Sequence, residues 1–69
     1  MEDKIIATWK TKGKDWLILY RGKYDYYYKG NQCGGGVGNH ASDELAIAAI
    51  ENSQVKVLKA DRPSVKRVY

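Results

Sequence analysis

The chain has 69 residues, with 12 Lys and Arg against 8 Asp and Glu, so its formal net charge is +4. A chain of this length buries only about 60% of the surface that it exposes when unfolded, which excludes a second domain, a full dinucleotide fold and a barrel. Hydrophobic residues make up 43% of the sequence and aromatic residues 12%. We therefore expect a single packed domain over residues 1–69 rather than a disordered basic tail.

Cysteine content and hydropathy predict the cellular compartment of the protein. Cys33 is the only cysteine, and small secreted domains usually need several disulfides, so we expect an intracellular, cytoplasmic protein. The longest apolar run, residues 16–20, is far shorter than the roughly 20 residues that span a bilayer. We accordingly expect no contact with a membrane.

The first half of the chain alternates β-forming segments with turn signals that contain glycine. The central segment has a continuous apolar run, which predicts a middle strand with both faces at least partly covered. In the third segment, period-two alternation places Tyr24, Tyr26 and Tyr28 on one face and Tyr27 on the other. The predicted strands of this antiparallel meander are residues 4–10, 15–21 and 24–29, with turns at 11–14 and 21–23.

Residues 30–39 contain five glycines, and this backbone freedom predicts an irregular Gly-rich loop. The stretch from Gly36 to Ala41 fits the loose dinucleotide pattern G-x-G-x-x-A. A phosphate site is nevertheless unfavourable, because the carboxylates of Asp43 and Glu44 follow at once and would repel the ligand. A flexible connector between strand and helix is the better interpretation.

A helix is predicted from Ser42 to about Ser53. Ser42 is a favourable N-cap, and two acidic residues in the first turn complement the helix dipole. Ala46, Ala49 and Ile50 share one face, which predicts close packing of the helix against the sheet.

The remaining sequence predicts a fourth strand over Val55–Lys59, and a short fifth strand or a loose tail within residues 61–69. The expected fold class is α+β: a small antiparallel sheet in the order β-β-β-α-β, with one helix on one face. An exposed edge at Val55–Lys59 or Val65–Tyr69 would permit homo-oligomers.

The sequence disfavours an enzyme. Cys33 and His40 are the only candidate nucleophile and base, but both lie in or beside the glycine-rich segment, which is not expected to hold catalytic geometry. One Cys and one His also fall short of the four ligands of a structural zinc site. We predict no catalytic residues, no metal and no cofactor.

Positive charge next to aromatic rings predicts a nucleic-acid-binding module. Clustered cations attract phosphates through counterion release, and exposed aromatic rings stack on bases. Trp9 and Tyr27 are the candidate stacking residues. The candidate phosphate contacts are Lys10, Lys12, Lys14, Arg21, Lys23 and Lys29.

The approach to the helix resembles two families of DNA-binding domain, those of plant ethylene-response factors and the arm-binding domains of phage integrases. The residues that carry this resemblance are Gly38, Ser42, Glu44, Ala46 and Ala49. It implies three strands that enter the major groove of DNA, with the helix packed behind them, and it favours DNA over RNA. Guanine readout usually needs Arg, which is scarce in these strands, so we expect contact mainly with the backbone.

The alternative is a protein-binding module, such as the small inhibitors or adaptors that phages direct against a host polymerase or a defence complex such as CRISPR. The candidate interface residues are Trp16, Tyr24, Tyr26 and Tyr28, since Tyr and Trp are enriched at interface hot spots. An exposed patch of these rings without nearby lysines would favour a protein partner. Rings surrounded by cations would favour nucleic acid.

Overall fold

The computed structural model describes residues 3–31, 33–61 and 64–68. Within them, five antiparallel strands form one sheet in the order β4-β3-β2-β1-β5, and a helical segment packs on one face of it. The strands are β1 (Lys4–Lys10), β2 (Trp16–Arg21), β3 (Tyr26–Gly30), β4 (Gly34–Gly38) and β5 (Lys66–Arg67). The helical segment comprises α1 (Asp43–Ile50), a π-helical turn (Glu51–Val55) and α2 (Lys56–Asp61). The predicted α+β class is confirmed.

The core lies between the sheet and the helical segment. Ala7 is opposite Leu19, and Trp9 is opposite Leu17, in the register of β1 and β2. All four side chains are buried, and alternation along each strand directs them to the helix side. The predicted meander of β1, β2 and β3 is confirmed, and β2 is the central strand of the sheet.

The helix begins where the sequence predicts. The Ser42 hydroxyl accepts a hydrogen bond from the Leu45 backbone N–H at 3.3 Å, which satisfies one of the unpaired donors of the first turn. Ala46, Ile47 and Ile50 are buried against the sheet. None of the described helices is long and apolar enough to cross a membrane.

The prediction that residues 30–39 form an irregular loop is wrong. Gly34–Gly38 is strand β4, which pairs along β3 at the sheet edge. A tight turn starts the pairing, because the Gly30 N–H donates to the Cys33 carbonyl at 2.7 Å. Ladder hydrogen bonds use backbone groups alone, so pairing with a formed neighbour overrides the low strand propensity of glycine.

The predicted fourth strand at Val55–Lys59 is also wrong, because these residues continue the helix. The Ser53 hydroxyl donates to the Ala49 carbonyl at 2.8 Å, one helical turn back. Val55 is buried, and Leu58 packs against the same core. This spacing of three follows the helical period, so both side chains reach the core without a strand.

The third strand begins later than predicted, and the C-terminal segment contains a short strand. β3 begins at Tyr26, and Tyr24 lies in the preceding turn with 77% of its surface exposed. Near the C-terminus, β5 pairs with β1, which confirms the short fifth strand. Residues 62, 63 and 69 of the predicted tail segment lie outside the described residues.

Candidate nucleic-acid interface

The sheet has a second face, opposite α1, which we call the open face because no element among the described residues packs on it. Alternation along each strand and the pairing register determine which side chains lie on this face, because directly opposed residues of paired strands point to the same side of the sheet. Three rows of side chains cross the strands. The rows are Ile5, Tyr20 and Tyr27; Thr8, Ile18 and Lys29; and Lys66, Lys10 and Trp16.

Two tyrosines stack at the centre of one row. The rings of Tyr20 and Tyr27 have centroids 4.9 Å apart and planes 10° apart. The Lys29 ammonium lies 5.7 Å from the Tyr20 centroid and 5.9 Å from that of Tyr27, within the range of a cation–π interaction. The open face thus presents a stacked pair of rings with a positive charge about equally close to both.

The Tyr27 ring is also held at its outer end. Its hydroxyl donates a hydrogen bond to the Asp3 carboxylate. This bond, together with desolvation and the negative charge of Asp3, raises the pKa of Tyr27 to about 12. The hydroxyl therefore stays protonated, and able to donate to Asp3, into more alkaline solution than an ordinary tyrosine hydroxyl does.

Lysines surround these rings. The strands place three exposed lysines on the open face, Lys10, Lys29 and Lys66, and the Asp3 carboxylate reaches this face at the Tyr27 hydroxyl. Lys10 and Lys66 are opposite one another in the pairing of β1 with β5. Since like charges directly opposed are unfavourable, this pair favours an anion between the two ammonium groups.

The predicted cations divide between the two ends of the sheet. Lys12 and Lys14 lie in the β1–β2 turn, next to Lys10. Arg21 and Lys23 lie at the opposite end, and Arg21 approaches Asp43 at 3.5 Å. A nearby carboxylate lowers the attraction of a cation for phosphate, so the β1–β2 end is the more positive of the two.

The β1–β2 turn has an unusual backbone. Lys14 has φ = 71°, a left-handed conformation that costs a non-glycine residue roughly 1–2 kcal/mol. The turn closes through the Thr11 N–H, which donates to the Asp15 carbonyl at 2.9 Å. The Asn31 side chain then links Asp15 to the β3–β4 turn at 3.1 Å. The lysine-bearing turn is therefore anchored to its neighbour.

We expect Lys14→Gly to stabilise the domain by roughly 0.5–1 kcal/mol, because glycine adopts this conformation without a steric cost. Urea unfolding followed by circular dichroism would measure the change. Lys14→Ala is the matched control: it removes the same charge but retains a Cβ. An Ala variant that is as stable as the Gly variant would contradict the proposed strain.

The structure separates the predicted aromatic residues. Trp9 has only 1% of its surface exposed and lies in the core, so its ring is not available for stacking on a base. Tyr26 is buried on the helix side and donates to Asp43 at 2.7 Å, which is the main reason that its pKa is raised. Tyr28 packs against the core. Trp16 and Tyr27 lie on the open face.

The open-face residues that the predicted site residues do not include are Ile5, Thr8, Ile18, Tyr20, Gly34, Gly36 and Lys66. Tyr20 sits in a continuous apolar run, in which the sequence does not show which face is covered. Lys66 reaches the face only through the pairing of β5 with β1. Gly36 belongs to a segment that the sequence predicts to be irregular, but which is strand β4. Alternation around the buried Leu17 and Leu19 is the signal that could have identified Tyr20.

Cys33 and His40 lie at opposite ends of β4. The exposed Cys33 precedes this five-residue strand, and His40 follows it, where its ring packs edge-on against Tyr26 at 5.8 Å. In the described part of the chain, no three His, Cys, Asp or Glu side chains come together as metal ligands do. Cys33 and His40 are therefore not a nucleophile–base pair in this fold.

Comparison with known proteins finds no family model, no curated protein and no solved structure that matches this chain. The resemblance to the ethylene-response-factor and integrase arm-binding domains therefore stays a prediction. The geometry of the open face carries the functional argument.

Proposed function

We propose that the protein is a non-enzymatic nucleic-acid-binding module and that the open face is its binding surface. The observation that carries the proposal is the central group on this face, in which the Lys29 ammonium lies 5.7 Å and 5.9 Å from the centroids of the stacked Tyr20 and Tyr27 rings. Aromatic rings beside lysines suit a ligand with both π-faces and negative charge, which is the chemistry of nucleobases and phosphates.

Charge distribution supports the same ligand. The strand lysines make the open face positive, whereas on the helical segment Lys56 and Lys59 are offset by Asp43, Glu44 and Glu51. Such a division orients the domain toward a polyanion and speeds the encounter. The lysines of the β1–β2 turn extend the positive surface beyond the sheet, so a strand crossing the rings meets cations at its end.

The arrangement favours contact with the backbone over readout of sequence. The two arginines among the described residues, Arg21 and Arg67, are opposite Lys4 and Trp9 in the strand registers. They therefore lie on the helix-covered side. Bidentate recognition of guanine is typically performed by Arg, and the open face offers lysines instead.

The protein-binding alternative has less support. Its predicted patch combines Trp16, Tyr24, Tyr26 and Tyr28, but Tyr26 is buried and Tyr28 packs on the core. The exposed Tyr24 has Lys23 above its ring, 5.3 Å from the centroid. These rings do not form one apolar patch free of lysines, which is the arrangement that would favour a protein partner.

The test is the salt dependence of binding to a labelled single-stranded oligonucleotide, followed by fluorescence anisotropy. The affinity of the native chain should fall steeply between about 50 and 200 mM salt. Replacing Lys10, Lys29 and Lys66 with Gln should reduce the magnitude of the slope of log K against log salt by about 2, at about 0.7 per phosphate contact on a single strand.

A second triple variant with the same change of net charge is the control: Lys4→Gln, Lys56→Gln and Lys59→Gln. These lysines are exposed but lie on the helix-covered side of the sheet or on α2. This control variant should retain nearly all of the native slope of log K against log salt. Equal reductions of the slope in the two triple variants would assign binding to net charge and not to the open face. A native chain that does not bind the oligonucleotide at about 50 mM salt would overturn the proposed function.

A further inference from the structure

The glycines of β4 differ in what the fold requires of them. Gly38 has φ = +94°, a conformation that side chains disfavour. A Cβ on Gly35 would meet the Tyr28 ring at 3.4 Å. At Gly36, a Cβ would meet no heavy atom within 4 Å, and φ is not positive. Neither the backbone nor the packing therefore explains the absence of a side chain at Gly36.

Gly36 borders the stacked tyrosines. It is opposite Tyr27 in the register of β3 and β4, and Gly34 is opposite Lys29. Both glycines therefore lie on the open face, where they leave bare backbone opposite Tyr27 and Lys29. A glycine inside a strand weakens it, and often marks a place where a ligand approaches closely.

The dimensions of this site match a planar ring. Neighbouring strands lie roughly 4.8 Å apart, and the Tyr20 and Tyr27 centroids are separated by 4.9 Å. A ring placed over Gly36 would continue the same row at about that spacing, which is within the range of offset stacking. One face of Tyr27 is stacked on Tyr20, and Gly36 is opposite Tyr27 on the neighbouring strand, with no heavy atom within 4 Å of the position that its Cβ would take.

We propose that an unstacked nucleobase binds over Gly36 against Tyr27, and that the open face consequently selects single-stranded over duplex nucleic acid. This inference rests on the proposed function and specifies its ligand. In a duplex, both faces of each base are covered by neighbouring bases, so no base is free to stack on Tyr27. In a single strand, a base can turn out onto the ring while Lys29 and Lys10 contact the backbone.

The experiment fills the site without disturbing the fold. Gly36→Val adds a β-branched side chain to a strand position with open space around it, so the thermal midpoint should not fall. Affinity for an oligothymidylate of about 15 nucleotides should fall roughly tenfold, the contribution expected of one stacked base. Affinity for a duplex of the same length should not change.

Two comparisons separate failure of this inference from failure of the proposed function. An oligonucleotide with abasic sites keeps the phosphates but lacks the bases, so the native chain should bind it more weakly than oligothymidylate, whereas Gly36→Val should bind the two alike. Tyr27→Leu should lose as much affinity for oligothymidylate as Gly36→Val does. The double variant, Gly36→Val with Tyr27→Leu, should lose little more than either single variant.

If Gly36→Val binds oligothymidylate as tightly as the native chain does, base stacking at Gly36 is overturned while the proposed function stands. If the native chain binds the duplex as tightly as the single strand, the selectivity is overturned. If the native chain binds neither, the proposed function itself fails.

Discussion

Trp9→Ala should remove a large part of the protein's stability. Trp9 is fully buried, and truncation of a buried Trp to Ala costs about 3–5 kcal/mol. A domain of this size has a total stability of only about 3–10 kcal/mol. The indole N–H also donates to the Glu51 carboxylate at 3.1 Å, which joins β1 to the π-helical turn. Urea unfolding monitored by circular dichroism would show the loss.

Trp9→Phe keeps most of the ring in the core but removes the bond to Glu51. We expect it to cost about 1–2 kcal/mol, from one lost hydrogen bond and a smaller ring. Under native conditions its affinity for nucleic acid should equal that of the unmodified chain, because Trp9 does not reach the open face. A Phe variant that is folded but binds weakly would contradict the placement of Trp9. A Trp9→Ala variant with a native unfolding midpoint would contradict its role in the core.

Val57→Pro should destabilise the protein by about 3 kcal/mol. Proline inside a helix loses a backbone hydrogen bond and clashes with the preceding turn. Val57 lies in α2 with 59% of its surface exposed, so little of the effect comes from lost packing. The midpoint temperature of thermal unfolding and the helical signal in circular dichroism should both decrease.

Val57→Ala is the matched control, and the sign of its effect distinguishes helix from strand. Alanine is the best helix former, so in α2 it should stabilise the domain by about 0.5 kcal/mol. In a strand, the same replacement would remove a favoured β-branched residue and destabilise the protein. A destabilising Val57→Ala together with a tolerated Val57→Pro would restore the strand that the sequence predicts here.

Local signals predicted much of the fold. The N-cap at Ser42 and the acidic first turn located the start of α1, because capping depends on neighbours within one turn. Turn residues and short β-forming segments located β1 and β2, together with their antiparallel pairing. Both features depend on interactions that are close in the chain, which is why a single sequence reveals them.

Errors arose where distant contacts decide the conformation. The β4 glycines have low strand propensity, but β3 offers them a complete set of backbone partners. Val55 and Val57 alternate as a strand would, yet Val55 and Leu58 pack on the core at helical spacing. Local propensity amounts to tenths of a kcal/mol per residue, whereas burial of a large side chain contributes about 1.5–3 kcal/mol. Burial therefore prevailed.

The sequence by itself determined a small basic α+β domain, with a three-stranded meander and a capped helix, and placed lysines next to aromatic residues. Only the tertiary structure decided which rings are core and which are surface. The helix covers the side of Trp9 and Tyr26, and leaves Trp16, Tyr20 and Tyr27 on the other. Alternation in a strand defines two faces, but the element that packs on the sheet determines which of them is buried.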